Sequence, residues 1–249
     1  MTNNMLFIAN WKMFGDLKAV NSAKKVIKFS KTKKFKKAQI IYCPPYTLIN
    51  QFIKITKNSR IKIGAQNCHY EQSPGAFTGS INTVLLKSAG AKYVIIGHSE
   101  NRSSGDSNKL INLKIKSALK KKLKVIFCIG ETLKERKNKK TNSVLKLQIK
   151  QGLKNIKKNH NIIFAYEPIW SIGTGIIPKT KQLENQIFSL KKILLNLWKL
   201  NNPKILYGGS VNSNNVQDLK KISSINGFLI GGASQKSKNF IDIIKKSII

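Results

Sequence analysis

Acidic side chains and arginine are scarce in this sequence, whereas lysine is abundant. Ten Asp and Glu residues stand against 46 Lys and Arg residues among 249, and the formal net charge is +36. Such an excess of positive charge is typical of proteins that bind nucleic acid or acidic membrane surfaces. Only Arg60, Arg102 and Arg136 are arginines, although the paired donors of arginine suit phosphates and base edges best.

The lysines are spread over expected helix exteriors and turns instead of forming one tail. We therefore expect a solvated lysine surface and no specific nucleic-acid site. A dedicated polyanion site is the alternative, and nonspecific polyanion binding could coexist with other functions. A positive surface would also draw a small anionic substrate towards the protein.

Cysteine is rare, and long apolar runs are missing. Cys43, Cys68 and Cys128 are odd in number and lack the spacing of metal ligands, so we expect reduced thiols and no metal site. No apolar run reaches the roughly 18 residues of a membrane span, and the first residues lack the basic start, apolar stretch and cleavage site of an export signal. The sequence therefore predicts a cytoplasmic protein that does not enter a membrane.

The chain does contain a regular alternation of short apolar runs and longer amphipathic segments. Runs this short and this apolar are typical of parallel strands buried on both faces of a sheet. The eight predicted strands are 7–10, 39–43, 61–66, 93–97, 125–129, 162–166, 205–207 and 228–230. Eight strand–helix units favour an α/β protein with a closed (β/α)8 fold, a TIM barrel, as a single domain over residues 1–249. A doubly wound open sheet is the alternative, because periodicity cannot show closure.

The intervening segments have the periodicity of amphipathic helices. Leucine or isoleucine recurs every three or four residues over 183–197, with lysines on the opposite face. Asp16 is a candidate cap for the first helix. Ser213 could cap a helix that turns the apolar residues of 216–222 inward.

Polar side chains follow several predicted strands at their C-terminal ends. In a parallel barrel these ends meet at one rim, where catalytic groups lie. The residues concerned are Asn10, Lys12, Gln66, Asn67, His98, Glu131 and Glu167. His69 and His160 do not terminate a strand, and we interpret both as loop residues.

Glu167 ends an apolar run and is followed at once by a glycine-rich segment. A carboxylate in this position suggests a general base beneath a mobile lid. For a lone Glu, a strand end followed by an ordinary turn is the commoner explanation. The recurrence of polar groups at the other strand ends favours the base.

His98 and Lys12 are the candidate partners of this carboxylate. His98 lies where a strand passes into a helix, and backbone N–H groups at a helix N-terminus keep an imidazole neutral. A purely structural capping histidine is the alternative for any single such residue. Lys12 follows the first strand, where an ammonium can stabilise a substrate oxyanion.

Pairs of glycines follow the last two strands, at 208–209 and 231–232. Glycines there allow backbone N–H groups to approach an anion, which is the usual phosphate site of such barrels. One Gly–Gly pair is more often a tight turn, whereas two pairs at these two strand ends favour a phosphate site.

The chain resembles the triosephosphate isomerase family along essentially its whole length. The motifs that carry the resemblance are 9–13, 75–79, 96–100, 128–132, 165–170, 207–212 and 231–234. The resemblance implies a TIM barrel that interconverts dihydroxyacetone phosphate and glyceraldehyde 3-phosphate, in glycolysis and gluconeogenesis, without a cofactor. The assignment of base, electrophile and lid is that family's well-known one.

By this resemblance, Glu167 is the base, neutral His98 polarises the carbonyl and Lys12 stabilises the enediolate. The residues implied to hold the substrate are Asn10, Lys12, Gly173, Ser210, Gly231 and Gly232. The lid would extend over roughly 168–178. The family resemblance also implies a homodimer formed through the 68–82 loop, with Thr78 and Met13 as candidate contacts.

Two departures from the family pattern stand out. Ser80 and Asn101 replace a Glu and an Arg that form a charged contact across the dimer in many members, so we expect a neutral contact there. Pro178 occupies a lid position whose backbone N–H, in the family pattern, donates to the hydroxyl of the tyrosine that matches Tyr207. Because proline has no N–H, we predict an altered latch or a hinge stiffened by the ring.

Three other functions are open. A pentose-phosphate epimerase type of barrel would need a metal held by His and Asp at strand ends, and only one His is expected at such a position. A lysine-rich nucleic-acid-binding protein would bind with a steep salt dependence, and it would not need Glu167 and His98 at strand ends. A catalytically inactive homologue is the third, although no catalytic position of the family pattern is lost.

Overall fold

Eight parallel strands form one closed sheet in the computed structural model, which describes residues 4–158 and 161–248. The strands are β1 Met5–Asn10, β2 Ala38–Cys43, β3 Lys62–Ala65, β4 Tyr93–Ile96, β5 Lys124–Ile129, β6 Ile162–Tyr166, β7 Ile205–Tyr207 and β8 Gly227–Ile230. Each strand pairs with the next, and β1 pairs with β8 in the register Phe7↔Phe228. The predicted closed (β/α)8 barrel is therefore confirmed, and the open-sheet alternative is wrong.

Helices surround the sheet in the order that the alternating pattern predicts. The described residues form α1 Leu17–Ser30, α2 Ile49–Thr56, α3 Thr83–Ser88, α4 Ser99–Ser103, α5 Asn108–Lys120, α6 Leu133–Lys137, α7 Thr141–Gly152, α8 Thr180–Trp198, α9 Val216–Leu219 and α10 Ser237–Ile248. Short 3-10 helices cover Lys33–Phe35, Tyr46–Leu48, Ile169–Ser171 and Gly232–Ser234. None of these helices is long and apolar enough to cross a bilayer.

The core has two layers because successive strand residues point to opposite faces. Leu6 and Ile8 of β1 belong to a cluster of strand residues, whereas Phe7 and Ala9 pack with residues of the surrounding helices. Both faces of the strands are therefore buried, which explains why the strand sequences are continuously apolar. The side chains of the first cluster fill the barrel interior and make it a packed core.

The helix starts show where local sequence was sufficient and where it was not. Asp16 caps α1, since its carboxylate accepts the N–H of Ala19 at 2.8 Å, as predicted. The cap expected at Ser213 is wrong: α9 starts at Val216 after Asn215. Asn212 accepts the N–H groups of the next two asparagines and holds the turn, which delays the helix.

The structure describes one of the two predicted loop histidines and all three cysteines. His69 is in a loop after β3 as predicted, whereas His160 lies outside the described residues. Cys43, Cys68 and Cys128 are buried free thiols. Burial raises the pKa of Cys68 to about 12, so this thiol is protonated and unreactive at neutral pH.

Candidate active site

A cavity opens at the C-terminal ends of the strands, and the candidate catalytic and substrate-binding residues line it. Its volume is about 260 Å³. The predicted residues around it are Asn10, Lys12, His98, Glu167, Gly173, Ser210, Gly231 and Gly232. Closure of the barrel brings these groups together from five separate strand ends and from the segment after Glu167.

Glu167 is buried at the floor of this cavity, directly after β6. Its Oε1 atom lies 3.6 Å from Nε2 of His98. Burial raises the pKa of Glu167, while His98, a hydrogen bond with Cys128 and the charge of Lys12 oppose that rise. A carboxylate with a raised pKa is a stronger base than an exposed one, which suits proton removal from carbon.

Glu167 has room in this position because two neighbouring residues are glycines and carry no side chain. A Cβ atom at Gly208 would lie 2.6 Å from Cγ of Glu167, and one at Gly130 would overlap the Glu167 carbonyl oxygen at 1.8 Å. The backbone N–H of Glu167 donates to the Ile129 carbonyl at 2.8 Å. The position of the carboxylate is therefore set by backbone contacts on both sides.

His98 carries its proton on the nitrogen that faces Glu167. Its Nδ1 atom accepts the backbone N–H of Glu100 at 3.2 Å, so Nδ1 is unprotonated and Nε2 holds the hydrogen. A carboxylate oxygen of Glu100 lies 3.5 Å from the same Nδ1, which by itself favours a proton there. The backbone bond determines the tautomer, because the Glu100 side chain is 56% exposed and is paired with Lys12.

Lys12 has an uncommon backbone conformation that neighbouring groups stabilise. Its φ of 55° lies in the left-handed region, which is costly for a residue with a side chain. Gln66 donates from Nε2 to the Lys12 carbonyl at 2.8 Å, and Asn10 accepts the Lys12 N–H at 3.2 Å. The ammonium lies 2.6 Å from Oε1 of Glu100.

Glu131 lies beside the site, and its role was not revealed by the sequence. Its carboxylate is fully buried and accepts hydrogen bonds from the Tyr166 hydroxyl at 3.1 Å and from Trp170 Nε1 at 3.1 Å. The ring of Trp170 also carries the Arg136 guanidinium, 4.6 Å from its centroid. Glu131 thus anchors the start of the glycine-rich segment to the barrel, through contacts that lie more than 30 residues apart in the chain.

The segment after Glu167 projects into solvent at its tip. Gly173, Thr174, Gly175 and Ile176 are exposed, whereas Ser171 and Pro178 at its two ends are buried. Gly173 adopts a φ of 70° and lines the cavity. The hydroxyl of Tyr207 lies 2.9 Å from the Ser171 hydroxyl, which differs from the backbone partner that the family pattern would give it.

A second cavity of about 260 Å³ adjoins the first and opens beside Met13 and Asn101. Met13 is 94% exposed, and Phe14 and Phe77 are exposed apolar side chains as well. Thr78 and Ser80 are exposed in the loop after β3.

The three arginines make contacts within the chain instead of forming a basic patch. Arg60 donates to the carbonyls of Lys36 and Ser30. Arg102 donates to the carbonyls of Gly97 and Cys128, which ties the ends of β4 and β5 together below His98. Arg136 donates to Gln182 and contacts Trp170.

A cavity of this size admits a small molecule, and its walls supply a proton acceptor, a proton donor and an ammonium. Fold and site therefore define an acid–base enzyme of the (β/α)8-barrel class. Among the described residues, no group of three or more His, Cys, Asp or Glu side chains could hold a metal ion.

Comparison with known proteins identifies the family within this class. The family model described as triosephosphate isomerase matches residues 5–247. Triosephosphate isomerase of Dictyoglomus thermophilum is 38% identical over 247 residues, which cover 96% of this chain and 98% of that protein. The enzyme of Thermodesulfovibrio yellowstonii is 39% identical over 243 residues, covering 96% of this chain and 97% of that protein.

A solved structure agrees with these sequence relatives. The crystal structure of triosephosphate isomerase from Bartonella henselae superimposes with a TM-score of 0.88 at 32% identity and covers 98% of each chain. The chain belongs to the triosephosphate isomerase family.

Proposed function

We propose that this chain interconverts dihydroxyacetone phosphate and D-glyceraldehyde 3-phosphate without a cofactor, a reaction of glycolysis and gluconeogenesis. The observation that carries the proposal is the 3.6 Å separation of Glu167 Oε1 and His98 Nε2 at the floor of the cavity that Lys12 also lines. A carbon acid next to a carbonyl needs a base, a hydrogen-bond donor for the carbonyl oxygen and a site that excludes water.

Glu167 takes the proton from the carbon next to the carbonyl, and the freed electron pair forms the double bond of an enediolate. The carbonyl π electrons move to oxygen, where Nε2–H of His98 and the ammonium of Lys12 stabilise the charge. Glu167 then returns the proton to the neighbouring carbon, while His98 moves protons between the two oxygens. A donor of this kind contributes on the order of 3 kcal/mol, and a positioned base about 10²–10⁴-fold in rate.

The substrate phosphate would bind on the glycine-rich side of the cavity. Backbone N–H groups of Gly173, Ser210, Gly231 and Gly232 are our candidate donors, and Asn10 is the candidate for the substrate oxygens. A Cβ atom at Gly232 would meet nothing within 4 Å, so the space around this backbone is open to a ligand. The net charge of +36 favours encounter with an anionic substrate.

The segment 168–178 would act as a lid. Water must be kept from the enediolate, because an enediolate beside a phosphate ester can eliminate the phosphate before it is reprotonated. The exposed tip and the buried ends of the segment support a movable unit that is attached at both ends.

A homodimer formed through the 68–82 loop completes the proposal. The exposed apolar side chains of Met13 and Phe77 support it, because apolar surface that is left exposed is favourably buried in a protein contact. Thr78 and Met13 are the candidate contacts beside the active site. Ser80 and Asn101 would make a neutral contact in place of the family's charged one. We also place the protein in the cytoplasm, in keeping with its buried free thiols.

The test is isomerisation of glyceraldehyde 3-phosphate by the wild type beside Glu167→Asp. Retracting the carboxylate by about 1 Å is expected to cost on the order of 10²-fold in kcat. Glu184→Asp is the matched control, because Glu184 is partly exposed on α8, away from the cavity, and pairs with Lys181 at 3.4 Å. Equal rates for the wild type and Glu167→Asp would remove Glu167 from the role of base.

A further inference from the structure

Two buried hydroxyls meet beneath the proposed lid. Ser171 ends the 3-10 helix Ile169–Ser171, and Tyr207 ends β7; neither side chain is accessible to solvent. Ser171 Oγ lies 2.9 Å from the Tyr207 hydroxyl and 2.6 Å from the carbonyl oxygen of Ile176. The lid and the barrel are therefore joined by side-chain hydrogen bonds at this point.

The hydrogens in this arrangement have one consistent assignment. The Ile176 carbonyl can only accept, so the single proton of Ser171 is donated to it. Tyr207 must then donate its own proton to Ser171 Oγ. Burial raises the pKa of Tyr207 to about 12, so the phenol keeps this proton at neutral pH.

The resulting chain runs from the barrel to both sides of the lid tip. Ser171 precedes the exposed tip and Ile176 is the last residue of the tip, so the bond between them closes the base of the loop. Within the tip, Thr174 donates to the Trp170 carbonyl at 3.1 Å and accepts the Ile176 N–H at 3.2 Å. The tip is thus tied into a small unit, and Ser171 joins the base of this unit to Tyr207 of the barrel, beside the anchor that Trp170 makes with Glu131.

The phosphate side of the site packs directly against this hydroxyl pair. A Cβ atom at Gly209 would lie 2.2 Å from the Tyr207 hydroxyl oxygen and 2.7 Å from Ser171 Oγ. Gly209 directly precedes Ser210, one of the candidate phosphate ligands. The hydroxyl pair therefore connects the base of the lid with the loop beside the substrate.

We propose that Ser171 is a positioning residue for the isomerisation: its hydroxyl relays the hydrogen bond of Tyr207 to the lid, in place of the backbone N–H that Pro178 lacks. The relay sets the hinge geometry with which the lid covers the enediolate. This inference rests on the proposed function, since it concerns how the lid of that same site is positioned.

The test compares Ser171→Ala, Tyr207→Phe and the double variant by isomerisation rate and by release of inorganic phosphate from glyceraldehyde 3-phosphate. Each single change is expected to lower kcat/KM on the order of tenfold, as loss of one buried hydrogen bond would. Phosphate release per isomerisation is expected to rise. Because both residues act through one chain of hydrogen bonds, the double variant should lose no more kcat/KM than the more impaired single variant.

Two further variants separate this role from a structural one. Ser247→Ala removes another buried hydroxyl that donates to a carbonyl, that of Ile243 at 2.7 Å on α10, and should leave both rates unchanged. Ser171→Cys keeps a weak donor of similar size and should restore part of the loss, which also covers the case that Ser171→Ala fails to fold.

Two results would overturn the relay. One is an Ala variant with a lower melting temperature but wild-type kcat/KM and phosphate release. The other is a double variant whose losses multiply. A wild type that does not isomerise the substrate would instead refute the proposed function.

Discussion

Oε1 of Glu167 and Nε2 of His98 lie 3.6 Å apart, with only 4% and 5% of their side chains exposed. Because Nδ1 of His98 accepts a backbone N–H, the proton of the imidazole is on Nε2 and points towards the same cavity. A proton acceptor and a proton donor thus lie side by side and share one shielded space. Because the carboxylate is buried in this pairing, changes at Glu167 should alter both the stability of the fold and the rate of isomerisation.

Glu167→Gln should stabilise the fold at neutral pH while abolishing isomerisation. Burial raises the pKa of Glu167 in the folded state, so ionisation of this group costs stability progressively as the pH rises from the unfolded-state pKa through that raised pKa. The neutral glutamine avoids that cost. Below the ordinary carboxyl pKa of about 4.3, the wild-type group is protonated in both states, and the difference between the proteins should vanish.

Melting temperatures of both proteins from acid to neutral pH check this prediction. Glu184→Gln, a change at a partly exposed residue of α8, should show no such trend. A Glu167→Gln protein that is less stable than the wild type at pH 7 would contradict it.

Gly208→Ala should displace the base without removing it. The added methyl group would lie 2.6 Å from Cγ of Glu167, and a shift of about 1 Å in a catalytic group costs on the order of 10²-fold. We expect kcat to fall by this factor while the circular dichroism spectrum stays that of the wild type. Wild-type turnover in this variant would mean that the carboxylate position is not set by Gly208.

Lys12→Met should lower kcat/KM by about 10²–10³-fold, because it removes the ammonium that stabilises the oxyanion. The matched control is Lys181→Met, since Lys181 also pairs with a glutamate but is 81% exposed on α8. Steady-state kinetics of both variants distinguish the role of Lys12 from a general effect of losing one positive charge. An equal and small effect in both variants would contradict a role of Lys12 in stabilising the oxyanion.

Met13→Asp should dissociate the proposed homodimer, since it places a charge in an apolar contact. Sedimentation equilibrium measures the mass, and Leu195→Asp is the control because Leu195 is an exposed apolar residue of α8, 43% accessible. A wild type that sediments as a monomer, or a Met13→Asp protein that remains dimeric, would contradict the role given to Met13.

The strands and the rim residues were predictable because they depend on local patterns. Continuous apolar runs indicated strands buried on two faces, and Asn10, His98 and Glu167 could be found because each follows such a run. The cavity that they line could be predicted too, because closure of the barrel is enough to bring these residues to one rim. The cap expected at Ser213 failed because neighbouring asparagines compete for the same turn.

The partners of these residues could not be predicted, because they lie far apart in the chain. Glu100 pairs with Lys12, 88 residues away in the chain. Glu131 accepts a hydrogen bond from the hydroxyl of Tyr166, 35 residues away. The contact of Ser171 with Tyr207 spans 36 residues. No periodicity or motif in one sequence indicates which hydroxyls or carboxylates meet at such separations.

The most direct test of the account is isomerisation in deuterated water, followed by NMR of the recovered triose phosphates. If Glu167 moves the carbon proton, the wild type should place solvent deuterium on the carbon that is protonated, and Glu167→Gln should show neither exchange nor isomerisation above background. Exchange at the wild-type rate in Glu167→Gln would contradict the account, since another group would then be removing the proton.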